Sequence, residues 1–256
     1  MTEEIEADGI LVGYELMPWD TAACGFPVAQ VSRLHVGTTP SERIWPEWRR
    51  FEAWRDAERV GLVSCRVPAE CLRESLWLEE AGFRFLEMVY RPVILLESLS
   101  VTEAVGLEIA RAESADVAVL GDIAERAFVT DRFSVDPRIA RGVAGLRYRR
   151  WVESAFEHRS QRLYRITEAG AVLAFFITEL GRDGTCHWHL TAVDPAWQGR
   201  GYGKRIWRAM MARARREGAR RIETTISARN IPVIHLYAGL GFRFESPATT
   251  FHWVRE

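Results

Sequence analysis

The stretch that most narrows what this chain can fold into runs from Thr185 to Glu217. Thr185–Val193 reads as a strand, Asp194-Pro195 as a turn and Gly203–Glu217 as an amphipathic helix. Between turn and helix lies Gln198-Gly199-Arg200-Gly201-Tyr202-Gly203-Lys204. Small residues there let backbone N–H groups converge on an anion at a helix N-terminus, where the dipole also favours negative charge. The loop is not a Walker A motif, because Lys204 is followed by Arg205 and Gln198 stands where the first glycine should be. Nor does it fit G-x-G-x-x-G, and no early βαβ unit surrounds it.

The rest of the chain alternates strands and helices, which predicts an α/β fold with a mixed sheet. In the first half, strands are expected at Gly9–Tyr14, Val28–Val36, Val60–Val67 and Phe83–Leu96, with residues 17–27 as a turn. Helices are expected at Ser41–Arg59 and from Pro68 to Glu80, the latter stopped by Gly82. Residues 97–105 read as a linker. The second half restarts with a strand at Leu107–Arg111, a helix capped by Ser114 that runs to about Phe128, and a helix over Arg138–Glu157. Strands follow at Gln161–Glu168, Ala171–Leu180, Thr185–Val193 and Arg221–Ser227, then a helix at Pro232–Gly239 and strands at Phe242–Phe244 and Thr249–Val254. The predicted division is 1–100 and 106–256. One echo links the halves: Leu78-Glu79-Glu80-Ala81-Gly82-Phe83-Arg84-Phe85 resembles Tyr237-Ala238-Gly239-Leu240-Gly241-Phe242-Arg243-Phe244. Chance reuse of a helix–Gly–strand turn explains it, and so does a duplication whose first copy lost its chemistry.

Composition excludes several classes. Hydrophobic residues make up 48% of 256, which rules out a disordered chain. No apolar run approaches the roughly 20 residues that span a bilayer, and the acidic N-terminus lacks signal-peptide character. The four cysteines, Cys24, Cys65, Cys71 and Cys186, form no CxxC pair, so a reduced, cytoplasmic protein is expected. Residues 1–100 carry 10 basic and 17 acidic side chains (net −7), and residues 101–256 carry 24 and 18 (net +6). The second half thus favours an anionic ligand. No nucleic-acid module is recognisable and no membrane contact is expected; a homodimer is compatible with the sequence.

Gln198-Gly199-Arg200-Gly201-Tyr202-Gly203 matches the Q-x-x-G-x-G/A signature of the GNAT acetyltransferase superfamily, placed as there between strand and helix. Asn230-x₆-Tyr237-x₃-Gly241-Phe242 matches that superfamily's next element, so about Thr185–Phe244 resembles it. The resemblance implies a GNAT fold in 106–256, a partial GNAT-like half in 1–100, and acetyl-CoA as co-substrate without a metal. It implies that the amides of Gln198, Gly199, Arg200, Gly201, Tyr202, Gly203 and Lys204 meet the pyrophosphate. Leu190, Thr191, Ala192 and Val193 would pair with the pantetheine like an added strand, and Asn230 belongs to the same cofactor set. A narrower resemblance, to two-domain TDP-fucosamine acetyltransferases, rests on Trp19–Phe26, Arg132-Phe133, Gly145-x-x-Tyr148-x-x-Trp151 and Phe251-x-Trp253.

Amine acetylation needs a proton acceptor and a donor for the leaving thiolate. Tyr237 is the candidate donor, against the alternative of a packing tyrosine. On a regular strand, His187 and His189 point to one face and Trp188 and Leu190 to the other. His187 falls eleven residues before Gln198, where several GNAT enzymes are similar in placing a glutamate base. Either histidine can accept a proton near neutrality, an ordered water can substitute, and both can instead be ordinary polar residues of a half-buried strand. A metal at His187-x-His189 lacks a third ligand, and Cys186 points away from both. Arg200, Lys204 and Arg205 are candidates for CoA phosphates. Arg132, Phe133, Tyr148 and Trp151 are acceptor-pocket candidates, the arginine for a sugar diphosphate and the rings for a base or hexose. The expected function is acetyl-CoA-dependent N-acetylation of a small amine, with a TDP-linked 4-amino-4,6-dideoxyhexose first. An amine of specialised metabolism or an antibiotic is the alternative enzyme reading, and a CoA-binding regulatory module the non-catalytic one.

Overall fold

The computed structural model describes residues 2–7, 9–97 and 105–255. They form two compact units, Met1–Val89 with Val135–Ala140 and Ser246–Glu256, and Tyr90–Ser134 with Arg141–Glu245. These units exchange segments along the chain, whereas the division read from the sequence is linear.

The first unit opens with β1 (Glu3–Ala7), β2 (Ile10–Leu16), α1 (Pro18–Cys24) and β3 (Val28–His35). It continues with α2 (Ser41–Ala57), β4 (Leu62–Pro68), α3 (Leu72–Glu80) and the first half of β5 (Arg84–Leu95). Two expectations change here. The segment taken for a turn is helix α1, opened by Pro18 at its first position and closed by Gly25 at φ 78°. Pro68 does not open a helix; it ends β4, its carbonyl accepts from the Cys71 amide at 3.0 Å, and α3 starts at Leu72. The residue before a proline prefers extended backbone, so Val67 carries the strand into Pro68. On α2, Ile44, Trp48, Phe51 and Arg55 are the buried positions, a helical stripe. Trp48 meets Trp77 edge-on and Phe51 at a tilt in a core that also holds Tyr14, Val63 and Phe83.

The second unit takes the later half of β5, then β6 (Glu108–Arg111), α4 (Val117–Ala127), α5 (Arg132–Val135), α6 (Val143–Glu157), β7 (Gln161–Glu168), β8 (Ala171–Leu180) and β9 (Thr185–Val193). It ends with α7 (Tyr202–Arg216), β10 (Arg221–Thr224), β11 (Ile226–Ser227), α8 (Ile231–Gly239) and the start of β12 (Arg243–Val254). The rest of β12 belongs to the first unit. Strands β7, β8 and β9 have the predicted bounds. Ser114 is not the cap of α4: it begins a 3₁₀ turn whose entry is tied by the Glu113 amide donating to Asp116 at 2.7 Å. The helix expected over Arg138–Glu157 is interrupted, because Asp136 accepts the Arg138 amide at 3.1 Å and Gly142, at φ 90°, starts α6 afresh. The two C-terminal strands are one, β12, with Ser246 at φ 41° inside it.

Strand order is β1-β2-β3-β4-β12-β5 in the first unit and β5-β10-β9-β8-β7-β6 in the second, where β11 pairs β5. Helices cover both faces of the second sheet. Ile206, Trp207 and Met210 of α7 and Tyr237 of α8 pack with Trp188 and Phe176 on one face. Leu120 and Ile123 of α4 and Val152 of α6 pack with Phe175, Ile177 and Leu190 on the other. No helix among the described residues is long and apolar enough to cross a membrane.

Candidate active site

Strand β9 changes neighbours and faces halfway along. It runs parallel to β10 from Thr185↔Arg221 to Trp188↔Thr224, and there the pairing stops. The Thr224 hydroxyl donates to the Trp188 carbonyl at 2.7 Å, closing the last paired level. Beyond it, the edge of β9 that faced β10 has no strand partner among the described residues. On the other edge, Trp188 pairs with Thr178 and Leu190 with Ile177, so His189 is an extra, bulged residue. The bulge corrects the expectation of regular alternation. Trp188 packs with α7 and α8, whereas Leu190 and Ala192 pack with α4 and α6.

The glycine loop sits at the end of that strand. Asp194 accepts the Ala196 amide at 2.9 Å and Gln198 Nε2 donates to the Val193 carbonyl at 2.9 Å, so the Gln198 side chain ties the loop back to β9. Gly199 and Gly201 have φ of 73° and 83°, the left-handed region, and a Cβ on either would meet nothing within 4 Å. Gly201 is the N-cap of α7, whose first N–H groups have no intrahelical acceptor. At Gly203 the reason is different: a Cβ would lie 3.4 Å from Leu236 of α8. Arg200 lies over Trp197, 5.1 Å from its centroid, and Lys204 is exposed. Arg205 is bound to Glu168 at 2.6 Å and to the Val105 carbonyl at 3.1 Å. Asn230 caps α8, accepting the Val233 amide at 3.4 Å.

Tyr237 is 1% exposed, and its hydroxyl has no hydrogen-bond partner among the described residues. The Trp207 indole and the hydroxyls of Thr191 and Thr224 surround it. Burial pushes the phenol's pKa up against the weaker opposing pull of those three groups, so it stays protonated across the neutral range.

The opposite face carries four titratable side chains in a row. Glu179 of β8 lies across from His187 of β9, which lies across from Glu223 of β10. His187 Nδ1 is 2.8 Å from Glu223 Oε1, and His189 Nε2 is 3.0 Å from Glu179 Oε2. The two rings are nearly parallel, with centroids 6.0 Å apart. The Ser160 hydroxyl holds the Glu179 carboxyl below its usual range, with His189 adding to that pull. Cys186 faces the other core, and burial pushes its thiol up to about 11, which removes it as a nucleophile.

On the same face as the histidines, Arg132, Phe133, Tyr148 and Trp151 come together. Arg132 lies over Phe133 at 5.0 Å, and the rings of Tyr148 and Trp151 are nearly parallel with centroids 6.4 Å apart. Arg147, which the sequence reading missed, joins them, 4.8 Å from the centroid of Phe133 and 5.6 Å from those of Tyr148 and Trp151. Its position four residues before Trp151 on one helix was the available signal. Phe133 and Tyr148 are buried, so Trp151 and the two guanidinium groups are the parts left towards solvent.

Residues 128–242 match the family model described as the Acetyltransferase (GNAT) family. No curated protein matches the sequence. Among solved structures, the GCN5-related N-acetyltransferase from Sphaerobacter thermophilus is similar with a TM-score of 0.66 and 14% identity, over 95% of this chain and 76% of that one. The GCN5-related N-acetyltransferase from Kribbella flavida gives 0.62 and 16%, over 98% and 89%. A tandem GNAT protein from the clavulanic acid biosynthesis pathway gives 0.64 and 16%, over 96% and 79%. At these identities the likeness speaks for the fold. The chain has the GNAT fold, its residues 128–242 match the acetyltransferase family model over a little under half of the chain, and the protein is an acyltransferase.

Proposed function

We propose that the protein transfers the acetyl group of acetyl-CoA to the amine of a small acceptor, at the point where β9 leaves β10. The observation that carries this reading is the unpaired Tyr237 hydroxyl beside the free edge of β9. The parts of acetyl-CoA fit the site in turn. The open amides of Gln198 to Lys204, at the start of α7, suit the pyrophosphate, with Arg200 and Lys204 near by. The unpaired edge from Leu190 to Val193 suits the pantetheine amides, as an added strand. Asn230 serves indirectly, by starting the helix that carries Tyr237. Arg205 is already engaged by Glu168 and is not assigned to phosphate.

Tyr237 and the histidines lie on opposite faces of the sheet, with the gap between β9 and β10 separating them. An acceptor amine on the histidine face attacks the thioester carbonyl and gives a proton to His187 or His189. The C–S bond breaks, and the thiolate takes the Tyr237 proton from the other side.

For the acceptor we infer a TDP-linked 4-amino-4,6-dideoxyhexose. Arg132 and Arg147 would meet the diphosphate, while Trp151 offers a ring face to base or sugar. One experiment tests both levels. Acetyl-CoA should raise the melting temperature by mass action, and Gly201→Asp should abolish that rise. Aspartate tolerates the left-handed backbone better than most residues, so the fold survives while a negative charge enters the phosphate site. Turnover of the TDP-amino sugar should exceed that of the same sugar without its nucleotide. Equal kcat/KM values would move the acceptor to a simple amine of specialised metabolism. No turnover of any amine, with acetyl-CoA still bound, would favour a regulatory CoA-binding module.

A further inference from the structure

The two histidine–carboxylate pairs differ in three ways. His187 uses Nδ1 towards its carboxylate and His189 uses Nε2. A neutral imidazole that donates from one nitrogen accepts at the other, so the two pairs select opposite tautomers. Second, the charge of Glu223 is shared, because its other oxygen is 3.1 Å from Arg221, which also faces Glu245 at 3.6 Å. The partners of Glu179 are the Ser160 hydroxyl and the imidazoles of His189 and His158, so its charge is free to support an imidazolium. Third, His187 lies at a level where β9 and β10 still pair, whereas His189 is the bulged residue just past the last paired level.

We propose that Glu179 is a positioning residue that holds His189 in its Nε2–H form, leaving Nδ1 as the proton acceptor of the reaction, while His187, Glu223 and Arg221 form a fixed neighbouring scaffold. The step is balanced within the reaction already described. The attacking nitrogen loses its proton to Nδ1, the imidazolium that results is held against the Glu179 carboxylate, and that proton later leaves to solvent while the Tyr237 phenolate regains one from solvent, so both groups return to their starting states. This inference rests on the acetyl-transfer reading for its kinetic consequence, but not for the tautomer itself.

The test therefore has two readouts. Ring ¹⁵N spectra of the protein without ligands, at a pH where both rings are neutral, should give His189 as the Nε2–H tautomer and His187 as the Nδ1–H tautomer. Glu179→Gln should lower kcat by roughly tenfold to a hundredfold, the range typical of removing an orienting carboxylate, with KM for acetyl-CoA unchanged. Glu223→Gln should lower kcat by a smaller factor, and Glu179→Asp should recover part of the loss. A His189 found in the Nδ1–H form overturns the proposal, and so does a Glu179→Gln loss no larger than that of Glu223→Gln. If wild-type protein acetylates no amine, the spectra alone decide the positioning claim, and that outcome counts against the acetyl-transfer reading instead.

Discussion

Both units contain a helix that ends at a left-handed glycine and enters a strand behind a buried phenylalanine, yet they place different groups at the matching helical position. In the first unit, α3 carries Leu78, Gly82 has φ 83°, and Phe83 is buried before β5. In the second, α8 carries Tyr237, Gly241 has φ 89°, and Phe242 is buried before β12. Leu78 and Tyr237 are equally buried, so packing is served by either side chain. The tyrosine brings an aromatic ring, which packs against Trp207 and Phe242, and a hydroxyl at its tip. The histidine–carboxylate pairs repeat the lesson. In the first unit His252 and Asp136 are 3.0 Å apart and wholly buried, and Arg138 closes on the same carboxylate at 2.9 Å. In the second, His189 and Glu179 are about a third exposed. Charged groups sealed in a core against their partners hold a fold together; those that keep a side towards solvent are available for chemistry.

The largest expected effect tests the buried pair. Burial pushes the Asp136 carboxyl up, but hydrogen bonds from His252 and from the Arg138 side chain and amide outweigh it and hold the carboxyl well below the usual range. A depressed folded-state value means stability that is present above the ordinary carboxylate pKa near ~3.9 and is lost as pH falls through the folded value. Asp136→Asn should lower unfolding free energy by about 3 kcal/mol near neutrality and flatten this acid limb, as read by denaturant melts between pH 2 and 7. A variant as stable as wild type would remove the contrast between a structural and a catalytic pair.

The next effect tests the unpaired hydroxyl. Tyr237→Phe should reduce kcat about 100-fold with acetyl-CoA affinity nearly unchanged, because only the proton donor is removed. Its stability should stay within about 1 kcal/mol of wild type, because the ring that fills the core is kept. A fall in kcat of less than about threefold would make Tyr237 the counterpart of Leu78 in role as well as place. The smallest effect concerns the shared turn. Gly82→Ala and Gly241→Ala should each destabilise by about 1–2 kcal/mol, the usual penalty for a left-handed L-residue. Markedly unequal losses in thermal melts would show that the two turns are alike in backbone angle alone.

Much of this was legible in the sequence where one local rule acts alone. Strands β7, β8 and β9 follow from their alternation and the turn at residues 181–184, and the loop at Gln198–Gly203 follows from its glycines. The bulge at His189 was not legible. Cys186-His187-Trp188-His189-Leu190 alternates cleanly, and both Trp188 and Leu190 are apolar enough for either core. Only the β8–β9 register, Thr178 with Trp188 and Ile177 with Leu190, reveals the extra residue. The carboxylates were hidden for a similar reason. Glu179 becomes the partner of His189 through the β8–β9 register, and Glu223 reaches His187 from a strand 36 residues on. Two strands, Phe242–Phe244 and Thr249–Val254, are expected with Pro247 in the gap between them. Instead its carbonyl accepts the Ala69 amide at 2.9 Å and β12 continues through it.

That strand has a bearing on how the protein is made. Thr250, Phe251 and His252 are buried in the first unit and pair with Arg66, Cys65 and Ser64, residues about 185 positions earlier. During synthesis, the first unit leaves the ribosome with a slot in its sheet that only the final segment of this sequence fills. Closing so long a loop is slow relative to local hairpins. The nascent first unit must therefore wait, with the edge of β4 uncovered, until the second unit has emerged. Chain order thus makes completion of the first unit a late event, and an unpaired β4 edge is the surface that a chaperone would have to guard in the interval.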